Sequence, residues 1–162
     1  MNGDTDVFSK GLLLFAARDF REAAGCFTDA LRKDPENVNY YYYRGVCFQE
    51  MGAANEAISD YTSALVRQPA AFPIRYNRAD LFLQSGDLQK AREDFEEILR
   101  AAGTDDPHWS ALAYLGRGLI RLEEGRIEEA IEDLTTAEDL AKLDGDKLLL
   151  ARIGDELERS GF

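Results

Sequence analysis

Residues 38–71 read VNYYYYRGVCFQEMGAANEAISDYTSALVRQPAA, and the pattern of small, aromatic and alanine positions in this stretch returns along the chain with a period of 34 residues. A small residue recurs at Gly11, Gly45, Ala79 and Gly118, and twelve positions after each stand Ala23, Ala57, Ala91 and Ala130. Four positions further come the large apolar groups Phe27, Tyr61, Phe95 and Leu134, and three more bring Ala30, Ala64, Ile98 and Ala137. Pro35 and Pro69 close the first two units. Spacings of three and four keep residues on one face of a helix, and alanine or glycine on such a face lets a second helix cross closely. A fixed period of this length describes units that each pack on their neighbours, without one globular centre.

This spacing resembles the tetratricopeptide repeat, a helix-turn-helix unit, over about residues 4–144. The resemblance implies an all-α fold: an α-solenoid in which helix pairs stack into a right-handed superhelix, its inner face lined by the first helix of each pair. Four repeats are expected, at 4–37, 38–71, 72–105 and 111–144, followed by a C-terminal capping helix within 145–162. The segment DPHWS at 106–110 is extra to the period. Its Asp-Pro start reads as an N-cap followed by proline in the first turn, so the first helix of repeat four should be about one turn longer than its counterparts. Asp146 can cap the last helix, whose Leu149, Leu150, Ile153 and Leu157 fall on one side. Gly52, Gly86 and Gly125 mark the turn inside a repeat, where a residue must accept positive φ; repeat one has Arg18 there, followed by Asp19 as a possible cap.

The chain has 162 residues, of which 45% are hydrophobic, and a net charge of −12. That is too apolar for intrinsic disorder, and no uncharged apolar run approaches the roughly 20 residues of a membrane span. Residues 1–86 carry 9 basic and 11 acidic side chains, and residues 87–162 carry 10 and 20, giving −2 and −10. Such a surface repels a phosphate backbone, so nucleic acid is excluded as the expected partner. The acidic half reads as a solvated outer face or as a dock for a basic partner segment. MNGDTDVFSK at the N-terminus has acidic residues where a secretory signal would have basic ones, and Cys26 and Cys47 have no partner spacing for a disulfide framework or a zinc site. A reducing, cytoplasmic setting is expected, with no membrane association.

No glycine-rich phosphate loop or metal-ligand cluster stands out, and the only histidine, His108, reads as a surface residue beside Pro107 and Trp109. Paired carboxylates such as Glu96 and Glu97, or Glu128 and Glu129, fall on outer helical faces, whereas general acid-base chemistry needs a concave, desolvated site. No enzymatic activity, cofactor or metal is expected. Lys10, Arg44, Arg78 and Arg117 precede the small position of each repeat, and Asp60, Asp94 and Asp133 follow the last three by sixteen residues. Those three spacings suggest arginine-carboxylate pairs between the two helices of one repeat, with a structural role. In repeat one Cys26 takes the acidic place.

The resemblance places a binding groove on the first helices. Its positions correspond to Phe8, Leu12 and Phe15; Tyr42, Tyr43 and Val46; Tyr76, Asn77, Asp80 and Leu83; and Leu115, Leu119 and Leu122. This strip is rich in tyrosine and leucine, and tyrosine combines contact area with a hydroxyl and few rotatable bonds; part of the strip could equally serve to close a short solenoid on itself. Tyr40 and Tyr41 are read as packing residues. Some family members hold the C-terminal carboxylate of heat-shock chaperones with lysine, asparagine and arginine at set positions, which here hold Phe8, Leu12, Tyr43, Pro73 and Asn77. None is a cation, so a heat-shock chaperone tail is not the expected ligand. An apolar or amphipathic protein segment is. The function expected is a protein-protein interaction adaptor or scaffold; the alternatives are a dedicated assembly or secretion chaperone, or a self-assembling module using Trp109 or the capping helix.

Overall fold

The computed structural model describes residues 3–103 and 105–161, with side chains from residue 7 onward; Met1, Asn2, Thr104, Phe162 and the acidic side chains of Asp4 and Asp6 in MNGDTDVFSK lie outside the described residues. Nine helices and no strand are found among them: α1 Gly3–Ala16, α2 Phe20–Lys33, α3 Val38–Glu50, α4 Ala54–Arg67, α5 Phe72–Gln84, α6 Leu88–Ala102, α7 Pro107–Glu123, α8 Ile127–Asp144 and α9 Lys147–Arg159. None is long and apolar enough to cross a membrane. The chain forms two compact units, Met1–Ile74 and Arg75–Phe162, with the boundary inside α5. In the first, α1, α2, α3 and α4 pack in succession; in the second, α6, α7, α8 and α9 do the same.

Turn chemistry explains where the helices stop. Gly52, Gly86 and Gly125 take φ of 75°, 78° and 74°, and Arg18 fills the same role in the first pair at φ 62°. An arginine there costs about 1 kcal/mol relative to glycine, and it is held by an ion pair to Glu50 at 3.2 Å and by the ring of Phe20 beneath its guanidinium. Asp19 caps α2 by accepting from the Glu22 amide. Asp106 caps α7 with Pro107 in its first turn, and that helix runs 17 residues where α1, α3 and α5 have 14, 13 and 13.

The repeated small positions are steric requirements. A Cβ at Gly45 would stand 2.7 Å from the Tyr61 ring, and one at Gly11 2.7 Å from the Phe27 ring. Phe27, Tyr61, Phe95 and Leu134 are all at most 1% exposed, each stabilising its unit by about 2 kcal/mol or more. Tyr61 keeps its hydroxyl satisfied by donating to Gln49 Oε1 at 2.7 Å.

Each expected arginine-aspartate pair is a two-point fork. Arg44 meets Asp60 at 2.7 and 2.6 Å, Arg78 meets Asp94 at 2.8 and 2.7 Å, and Arg117 meets Asp133 at 2.8 and 2.7 Å. The three aspartates are 3–4% exposed. Arg75 also reaches Asp94 at 3.1 Å and Arg121 reaches Asp133 at 2.8 Å, so two of the carboxylates each hold two guanidiniums. Arg44 further donates to Thr28 Oγ1 at 3.2 Å, tying α3 to α2. The hydrogen bonds that Arg44 and Arg117 donate to Asp60 and Asp133 hold the two guanidiniums protonated even more firmly than usual.

The last helix packs as a cover. Leu149 and Ile153 are buried with Leu134, Ala137 and Ala141 of α8 and with Ala111 and Leu115 of α7, while Leu150 and Leu157 pack on the margin of the same cluster.

Candidate functional site

Four consecutive tyrosines on α3 have four different environments, and these separate packing from candidate binding surface. Tyr40 lies 4.9 Å from the Phe8 ring, and Tyr41 lies beneath the guanidiniums of Arg67 and Arg44 at 4.7 and 5.9 Å. Tyr43 stacks on Phe27 at 5.6 Å and meets Phe8 and Phe15 edge-on at 5.8 and 5.7 Å. It belongs to the first unit's core together with Phe8, Leu12 and Phe15, all of which pack on Ala23, Ala24, Phe27 and Cys47. Much of the aromatic end of the expected strip is therefore spent on closing the unit.

Tyr42 differs. Its half-buried ring touches Tyr43 and Tyr61 on one side and borders a cleft of about 360 Å³ on the other. Val38 and Asn39 from α3, Gln68 from the turn after α4, and Phe72 and Pro73 at the start of α5 complete this cleft. Its walls are mainly apolar, while Asn39, Gln68 and the Tyr42 hydroxyl can fix the direction of a bound backbone. Val46, one helical turn beyond Tyr42, is half-buried.

In the second unit Tyr76 does not face open solvent as a solvated groove residue would. Its ring packs 6.0 Å from Phe95 and 6.1 Å from Trp109, its hydroxyl accepts a 3.4 Å hydrogen bond from Arg152, and burial pushes its pKa upward. Replacing it should therefore disturb folding as well as any binding. Asp80 accepts from Gln84 Nε2 at 2.6 Å, and Asn77 and Leu83 are half-buried. Leu115 leaves the strip altogether. At 1% exposure it is a core residue, because α9 covers the face on which it stands, and Leu119 and Leu122 pack against the same cluster.

Sequence reasoning gave α9 a covering role, or a part in self-assembly, and singled out no residue on its outer edge. Leu148, 84% exposed, borders a cleft of about 460 Å³ with Leu112, Leu149, Ala151 and Arg152, and with the carboxylates of Asp146 and Asp155. The available signal was that Leu148 falls outside the apolar stripe of Leu149, Ile153 and Leu157, so its apolar surface has no neighbour in the helical register.

Family models described as tetratricopeptide repeat match residues 8–58 and 71–143. Among curated proteins, human DnaJ homolog subfamily C member 3 is 30% identical over 105 residues, which is 65% of this chain and 21% of that protein; the chain thus spans about a fifth of its relative's length. Among solved structures, YrrB, described as a TPR protein with an unusual peptide-binding site, superposes with a TM-score of 0.77 at 21% identity, covering 94% of this chain and 75% of its own. The Yersinia enterocolitica type III secretion chaperone SycD, in complex with a peptide of the translocator YopD, gives 0.69 at 20% identity over 76% of this chain and 97% of its own. At these identities the structural likeness shows the fold, an α-solenoid.

Proposed function

Since the chain belongs to the tetratricopeptide repeat family, we propose that it is a protein-protein interaction scaffold without chemistry of its own, which seats an apolar or amphipathic partner segment against the Tyr42 face. The observation that carries this reading is the cleft beside Tyr42. There an aromatic ring, two apolar residues at the start of α5 and two side-chain amides meet in a volume suited to one or two side chains. A tyrosine with one face already packed loses little conformational freedom on binding, the property that makes aromatic anchors effective. Val46 is the further candidate from the sequence strip within the first unit; Asn77, Asp80 and Leu83 from the strip, with Leu148 and Arg152 from the structure, are separate candidates within the second unit. A heat-shock chaperone tail is a poor match, because Phe8, Leu12 and Tyr43 occupy the clamp positions as core residues.

A secretion-chaperone role is the second reading, favoured by the likeness to SycD with its bound translocator peptide. Site-specific photocrosslinking tests both. A crosslinker at Asn39 should capture a discrete partner, and one at the exposed Arg21 should not. If the captured protein stays soluble only with this chain, the chaperone reading stands over the general scaffold. Equal labelling from both positions contradicts a site beside Tyr42.

A further inference from the structure

The insertion at 106–110 brings the only histidine of the chain to the junction of the last two helices. His108, the second residue of α7, directs Nδ1 to Asp144 Oδ2 at 2.9 Å and to Asp146 Oδ2 at 3.8 Å. Asp144 ends α8 and Asp146 caps α9. One ligand atom from each of the three side chains falls within 4.8 Å of the others.

We propose that His108, Asp144 and Asp146 form a binding site for a divalent cation of the zinc class. The geometry is close to a coordination shell: around an ion about 2.1 Å from each donor, adjacent ligands stand about 3–3.5 Å apart and opposed ligands about 4.2 Å apart. The Asp146 carboxylate is already aimed. Its Oδ1 accepts from the amides of Leu148 and Leu149, both at 3.0 Å, and Oδ2 is the oxygen nearer His108. Such hydrogen bonding to the non-ligating oxygen orients a metal ligand at no further cost on binding. The His108 ring is likewise set edge-on against Trp109 at 5.2 Å.

Charge points the same way. Asp60, Asp94 and Asp133 each meet at least one arginine, whereas among the described residues no lysine or arginine pairs with Asp144 or Asp146. Two carboxylates brought together with only an imidazole as counter-group gain most from a dication. One nitrogen and two carboxylate oxygens suit zinc, cobalt or nickel; magnesium and calcium prefer oxygen alone. Such an ion would join the start of α7, the end of α8 and the start of α9, fixing α9 beside the cleft that Asp146 helps to line.

The test is a titration of the chelator-treated full chain with cobalt(II) at neutral pH, followed by visible absorption and by thermal melting. A saturable d–d band that zinc displaces, with a rise in Tm of about 5–10 °C at a hundredfold excess over Kd, is the expected result. His108→Gln and Asp144→Asn should each weaken cobalt binding by about tenfold or more. Asp146→Asn retains a good helix cap and should weaken binding without loss of fold, so a failure of either of the other variants to fold leaves the assignment testable. Absence of the band, cobalt affinity unchanged in all three variants, or a Tm response to magnesium or calcium alone would overturn the proposal.

Discussion

Asp94→Ala probes the arginine-aspartate forks at one of the two carboxylates that hold two guanidiniums. The carboxylate is 3% exposed and receives hydrogen bonds from Arg78 at 2.8 and 2.7 Å and from Arg75 at 3.1 Å. Removing it withdraws this acceptor from two guanidiniums whose side chains are only 17% and 14% exposed. Breaking a buried pair from one side costs about 3–5 kcal/mol, and partial access to water moves the arginines to the lower end, about 3 kcal/mol. At about 2–4 °C per kcal/mol for a chain of this size, Tm read by circular dichroism should fall by about 6–12 °C. Asp60→Ala, which among the described residues withdraws its carboxylate from Arg44 alone, should cost less. Glu138→Ala, which breaks an exposed pair to Lys142, should leave Tm unchanged. Partner affinity of the folded Asp94→Ala protein should equal that of the wild type. A drop in Tm no larger than that of Glu138→Ala would refute the structural assignment of the forks.

Further outcomes follow from the same physics. Truncation after Asp144 exposes the surface covered by Leu149, Leu150, Ile153 and Leu157, removing on the order of 6 kcal/mol of apolar burial before ordering entropy; melting should drop and light scattering should show association. Gly45→Ala drives a methyl against the Tyr61 ring and should cost about 1–3 kcal/mol, measured by urea unfolding. Gly52→Ala meets no neighbour but holds φ at 75°, costing about 1 kcal/mol in the same assay. Burial pushes the Cys47 thiol up to about 12 from 9.0, so Cys26 should react first with a thiol reagent at neutral pH. Because the unfolded thiol ionises first, Cys47 leaves stability unaffected below pH 9 and lowers it as pH rises from 9 towards 12, a loss that Cys47→Ala should diminish in unfolding measured across that range.

Features carried by spacing along the chain were legible in the sequence: the 34-residue period, the forks at sixteen residues, the capped start of α7 and the covering stripe of α9. Each depends on contacts within one helix pair or between adjacent helices. The candidate site was legible only in part, because its residues differ by what packs over them from elsewhere. Tyr42 and Tyr43 are neighbours in sequence, yet Phe8, Phe15 and Phe27 converge on the second and leave the first beside a cleft. Leu115 matched the pattern of a groove residue and was removed from the surface by α9. Arg75 and Arg121 lie three or four residues from the repeated arginines, so the period does not single them out, although they share the same aspartates. His108 and Asp144, 36 residues apart, meet only because the insertion sets where α7 begins.

The most direct test of the binding face is isothermal titration of the identified partner segment into wild-type and Tyr42→Ala protein at a temperature where melting curves show both folded. Loss of the aromatic anchor should weaken Kd by about thirtyfold, and Lys33→Ala on α2 should leave it unchanged. A folded Tyr42→Ala protein that binds with wild-type affinity would contradict the account and move the site away from the α3 face.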